Sequence, residues 1–273
     1  MKNSLKVSSV ALIVIGGVIL QSCQKEDQFS SQANPSSNSN PVSAAVRPGI
    51  FYGPTVPIGS GTARAWVKEN EDGNPVAVGI DVSEKALEKL PDQPASWVLF
   101  FPRTKGENFY THMLVDWNPQ GHEPAHVYDL PHFDFHFYWI SNEDRLAIGP
   151  LDSSQFDTSP DAAFIPYNYM LTPGIVPQMG AHWVDLEAPE FTGGIFTRTF
   201  IFGSYHGNFI FVEPMITRAY LLTHPDETLD VRQPSAFQRS GWYPENYVVK
   251  YSSIPGRYTI SLTGLTFRQG EQN

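Results

Sequence analysis

A mainly β chain, folded as an antiparallel sandwich or distorted barrel with one or two short helices, is predicted by three features. Aromatic residues make up 13% of the sequence, which favours pleated, half-buried surfaces over helices. The 23 Pro and 21 Gly punctuate the chain into short segments. From Pro131 onward the pattern has period two: His132, Asp134, His136 and Tyr138 point one way, and Phe133, Phe135, Phe137 and Trp139 the other, as a strand with one buried face requires.

Taken from the N-terminus, Lys2 and Lys6 precede an apolar run at residues 10–20 that is too short to span a bilayer, so residues 1–22 read as a signal peptide. Leu20-Gln21-Ser22-Cys23 resembles a bacterial lipobox, with Gln21 where a small residue is usual. Cys23 would then carry lipid, palmitate included, and tie the protein to the membrane. It is also the only cysteine, which excludes an intramolecular disulfide and a cysteine-based metal site. Gln24-Lys25-Glu26-Asp27 looks like the Lys-acidic-acidic signal that sends Bacteroidetes-type lipoproteins to the outer face of the outer membrane, although a solvated charge run has the same composition. Residues 23–48 are rich in Ser, Asn, Gln, Ala and Pro and too poor in large apolar side chains to offset their ordering entropy. They read as a tether, and twenty such residues reach about 25 Å. The expected location is the bacterial outer membrane, lipid-anchored and exposed at the cell surface.

Residues 49–273 are expected to form a single β-rich domain. Loss of Lys2 and Lys6 with the leader takes the formal net charge from −10 to −12, which argues against nucleic acid and against electrostatic adhesion to anionic lipid. Strands are predicted at residues 62–67, 76–82, 97–101, 110–117, 132–141, 195–204, 208–213, 247–252 and 257–263. Turn signals separate them, among them Asp72-Gly73-Asn74-Pro75, Asn118-Pro119-Gln120-Gly121 and His206-Gly207-Asn208. Ser83 is a suitable N-cap for a short helix at 84–90, which Pro91 stops. A further helical turn or two is expected after Pro214, across residues 215–222.

Ala63-Arg64-Ala65-Trp66-Val67, the run from Gly121-His122 through Pro131-His132-Phe133-Asp134-Phe135-His136-Phe137-Tyr138, Gly180-Ala181-His182-Trp183-Val184-Asp185, and Phe202-Gly203-Ser204-Tyr205 followed by Phe211-Val212-Glu213-Pro214-Met215-Ile216-Thr217 are similar to a family of uncharacterised exported bacterial β-proteins. One member belongs to a Thermus sigma-E regulon. The resemblance spans residues 62–222 and implies an exported β fold without implying a reaction. His126 falls at a position the family leaves open, which suggests a surface loop.

The eight histidines hold the chemistry the sequence offers. His122-Glu123-Pro124-Ala125-His126 matches the zinc-protease pattern in letters only, because Pro124 and the flanking turns leave no helix to put both imidazoles on one face. In a strand, residues two apart lie about 7 Å apart and residues four apart about 13 Å. Asp134 can therefore share an ion with His132 or with His136, whereas those two histidines cannot easily share one. The remaining ligands must come from elsewhere, and His182 and Glu213 are the first candidates because both lie in the motifs that carry the resemblance. His122 is third. The expected set is Asp134, His136, His182 and Glu213 around one divalent metal such as zinc, with His122 or His132 as the catalytic base. A buried His-Asp-His row can equally be a hydrogen-bonded network without an ion, or metal-free acid–base or ligand-binding chemistry. His112 reads as a satisfied strand residue, and His206 and His224 as exposed turn residues.

Two functions follow. One is a non-catalytic envelope module, an assembly subunit or ligand binder in which the network only stiffens the core; the sequence favours this one. The other is a metal-dependent hydrolase or lyase. A homo-oligomer is compatible with either.

Overall fold

The computed structural model describes residues 49–104, 106, 108–149 and 158–271. The signal peptide, the tether and Cys23 lie outside the described residues. The strands are β1 (Gly49–Tyr52), β2 (Val56–Ile58), β3 (Gly61–Glu69), β4 (Pro75–Ser83), β5 (Ala95–Phe100), β6 (His112–Asn118), β7 (His132–Tyr138), β8 (Tyr169–Leu171), β9 (Ala181–Asp185), β10 (Arg198–Tyr205), β11 (Asn208–Thr217), β12 (Asp226–Asp230), β13 (Gly241–Tyr243), β14 (Asn246–Ser253), β15 (Gly256–Thr263) and β16 (Thr266–Arg268). Among the described residues, two short helices, α1 (Asn142–Ala147) and α2 (Arg218–Leu221), complete the regular structure apart from single 3-10 turns.

Fourteen of these strands build a sandwich of two antiparallel seven-stranded sheets, not a closed barrel, and β13 pairs with β16 as a separate two-stranded sheet. The first sheet runs β1-β3-β4-β15-β14-β12, with β2 added against β3; the second runs β5-β6-β7-β11-β10-β9-β8. The main core lies between them. Ile80, Val249 and Ile260 from the first sheet meet Val115, Phe135, Phe137 and Val212 from the second, all 0–1% exposed. The odd-numbered aromatics of β7 thus face the core, and a one-residue slip would expel them all.

Several local expectations need correction. The helix expected at 84–90 is one 3-10 turn, Glu84–Leu87, and the Ser83 hydroxyl does not cap it; that oxygen accepts the Thr62 amide at 2.9 Å instead. The helix expected from residue 215 begins only at Arg218, capped by Thr217 Oγ1, which accepts from Tyr220 N–H. Residues 214–217 continue β11, where Met215 and Ile216 are fully buried between β7 and β10. Pro214 therefore sits inside an interior strand, a position its missing N–H normally forbids. The ladder to β7 accommodates it: pairing is recorded at Val212–Phe137 and resumes at Met215–Asp134. β7 stops at Tyr138 rather than 141, since Ser141 instead caps α1 by accepting Asp144 N–H at 3.0 Å.

Candidate metal centre and cavity

The even-numbered residues of β7 point away from the main core yet remain enclosed: His132, Asp134, His136 and Tyr138 are between 0 and 4% exposed. Apolar clusters flank them on this outer face of the second sheet. Leu114, Tyr138, Ile148, Ile210 and Phe211 form one; Tyr128, Val184, Phe196, Ile201 and Met215 form the other.

Register brings further polar groups to the row. Asp116 on β6 pairs with Asp134, and the β7–β11 register sets Glu213 across from His136. His182 arrives from β9, opposite Gly203 of β10, which in turn faces Phe211 of β11. A Cβ on Gly203 would meet the Phe211 ring at 1.9 Å. Glycine there lets that ring lie across the strand, where His136 and His182 pack on it at centroid distances of 4.9 and 5.4 Å.

Two ligand-like groups result. In the first, His136 Nε2 lies 3.4 Å and His182 Nε2 lies 3.7 Å from Glu213 Oε2, with the imidazole centroids 6.4 Å apart. Two metal–ligand bonds of about 2.1 Å meeting at a tetrahedral angle put their donors about 3.4 Å apart. Despite being buried, both ring nitrogens of His136 and Glu213 Oε2 make no hydrogen bond. Burial lowers His136 to about 3 and His182 to about 4, so both imidazoles are neutral at neutral pH, as ligation requires. Burial, with the charges of Asp134 and Asp116, pushes Glu213 well above the usual carboxylate range. Asp116 Oδ2 stands 3.4 Å behind His136 at Nδ1. Ser96 Oγ donates to the other Asp116 oxygen, and burial beside Asp134 raises its carboxyl to about 7.

The second group gathers around Asp134, which the sequence had placed with His136, His182 and Glu213. Its Oδ1 lies 3.1 Å from His132 Nε2, and its Oδ2 lies 3.5 Å from His122 Nε2. Asn118 Nδ2 donates to Oδ2 at 2.6 Å. Burial alone would raise Asp134, but the two imidazoles outweigh it and lower its pKa. For His122 burial is likewise outweighed by Asp134, and its pKa is raised.

A cavity of about 580 Å³ opens over both groups. Asp116, His122, Asp134, His136, His182 and Glu213 form its polar end, and Trp117, Val176, Met179, Val184, Ile201 and Met215 are among its apolar walls. Of the two candidate bases, His122 lines this space, whereas His132 is fully buried against Phe196. His126 projects from its turn with 95% of its side chain exposed. His112 bonds Thr111 Oγ1 at 2.9 Å and stacks on Tyr138, outside both groups. His206 and His224 are exposed turn residues. Asp116 escaped the sequence reading, and Gly203 entered it only as part of a motif without a role: an Asp on an apolar strand and a Gly near a strand end are ordinary by composition.

Residues 70–117 match the TTHB210-like family, described as hypothetical protein TTHB210. The matched stretch covers β4, β5 and nearly all of β6, including Asp116, and ends before β7. It supports the family relation suggested by the motifs. No curated protein and no solved structure matches the chain.

Proposed function

We propose that this protein is a metal-dependent enzyme of the hydrolase or lyase class, displayed on the outer membrane by lipid on Cys23. One divalent ion such as zinc would be held by His136, His182 and Glu213. The observation that carries this reading is the convergence of three ligand atoms, two of them buried and without a hydrogen bond, at the wall of an open cavity. A two-histidine, one-glutamate set is a known catalytic zinc arrangement and leaves a coordination position for water or substrate. An ion held there would supply Lewis-acid activation of a water or substrate oxygen. Asp116 behind His136 is placed as the carboxylate that orients a ligating imidazole.

The reading favoured by sequence, a non-catalytic envelope module that serves as an assembly subunit or ligand binder and whose network only stiffens the core, leaves buried His136 and Glu213 atoms without a hydrogen bond. Such a network needs packed neighbours, whereas this one opens on space large enough for a small molecule with a polar head and an apolar body. Metal analysis of the protein purified without a histidine tag, paired with an assay on short-chain nitrophenyl esters, tests the proposal. The expected result is an ion lost in Glu213→Gln, and hydrolysis that a chelator removes and zinc restores. An ion content untouched by Glu213→Gln would contradict it.

A further inference from the structure

We infer that His122, His132 and Asp134 form a second cation site, one that binds a divalent, imidazole-preferring ion such as zinc at the same cavity. The tautomers carry the argument. His132 Nδ1 lies 2.6 Å from the Leu130 carbonyl, and His122 Nδ1 lies 2.6 Å from the Glu123 carbonyl. A carbonyl only accepts, so each Nδ1 bears a hydrogen, which leaves Nε2 of each ring as the atom able to hold an ion. Both Nε2 atoms face one carboxylate, at 3.1 Å from Oδ1 and 3.5 Å from Oδ2.

Acceptors turned on an acceptor repel unless positive charge lies between them. His132 Nε2 and Asp134 Oδ1 are fully enclosed and make no well-formed hydrogen bond, so the contact depends on such a charge. A bound cation supplies it. The ligand atoms of all three residues fit within 4.8 Å of one another, and bonds of about 2.0–2.1 Å give donor separations close to those observed. The outer partners are those of a ligated site: backbone carbonyls hold both rings, and Asn118 Nδ2 holds the carboxylate. His122 comes from a turn rather than the sheet, and 38% of its side chain is exposed. That leaves the ion open to the cavity and makes His122 a ligand instead of a free base. The ligand sets of the two sites share no residue, so each ion can be lost alone.

The full chain, freed of metal with dipicolinate, is titrated with zinc alone and its bound ions are counted by mass spectrometry. Two ions per chain are expected. His122→Ala, a turn substitution that leaves the sheet intact, and Asp134→Asn should each weaken one of them by more than about 100-fold, since loss even of an outer partner weakens ligation 10–100-fold. Glu213→Gln should remove the other and spare this one. If a single ion binds and only Glu213→Gln removes it, the second site is wrong while the proposed catalytic site stands. If a single ion binds and only Asp134→Asn removes it, the reverse holds. Retention of both ions in His122→Ala and Asp134→Asn, or no zinc in the wild type, overturns the inference; the latter result would leave a protonated imidazole as the counter-charge to Asp134.

Discussion

Glu213 is the residue on which the chemistry turns. Its carboxyl is raised well above the usual carboxylate range by burial and by the charges of Asp134 and Asp116, which favours a proton on it when no ion is present. A cation must displace that proton. His136 and His182, lowered to about 3 and 4 by burial, are already neutral at mildly acidic pH and release none. Zinc affinity at this site should therefore rise with pH, with one proton released per ion from Glu213. Calorimetry in two buffers of different ionisation enthalpy measures that proton. Release of none, or of two or more from the imidazoles, contradicts the assignment. The sign for stability also follows. The lowered histidines make the metal-free fold less stable as pH falls below about 6.5, through the range in which only the unfolded chain takes up protons. Raised Glu213 and Asp116 act oppositely, weakening the fold as pH rises above the usual carboxylate range.

At the scale of elements, β7, β11 and β10 act as one device. β7 supplies ligands to both groups from one row of alternate residues, β11 supplies Glu213 where Pro214 interrupts the ladder, and β10 supplies the gap at Gly203 that lets Phe211 support both imidazoles. Gly203→Ala places a methyl within 2.5 Å of three Phe211 ring atoms, and the ring is fully buried. Overpacking of this kind costs about 1–3 kcal/mol, measurable by urea unfolding, and it should disturb zinc binding through both histidines that rest on the ring. Unchanged stability would show that Phe211 has room to move. The period of β7 was legible because four bulky aromatics leave one register that buries them. The partition of its polar face was not: Asp134 can reach either histidine neighbour, and only the third dimension shows that His132 and His122 hold it. Glu213 looked like a strand end because Pro214 follows it. The short strands β1, β2, β8, β9, β12, β13 and β16 span three to five residues each, too few for alternation to stand out from a loop.

At the scale of the molecule, a lipid at Cys23 and a tether of residues 24–48 would hold this sandwich outside the outer membrane, with its cavity open to small molecules of the surroundings. Cys23→Ser should move the protein from the detergent-extracted membrane fraction to the soluble one, while deletion of residues 25–27 should keep the lipid but reduce cleavage by external protease. Membrane retention of Cys23→Ser would refute the anchor. The fold class was legible across the whole chain from aromatic content and turn density, because both report short strands whichever sheet they join. The pairing of sheets around the core, and the placement of the site on the outer face of one of them, depend on long-range registers that no local pattern encodes. The most direct measurement for the whole is a zinc-edge anomalous diffraction map of the zinc-soaked protein. The metal assignment predicts a peak about 2.0–2.1 Å from Nε2 of both His136 and His182 and a similar distance from a Glu213 oxygen. A zinc-soaked crystal with no peak there, and with a protonated Glu213 hydrogen-bonded to either imidazole, would contradict it.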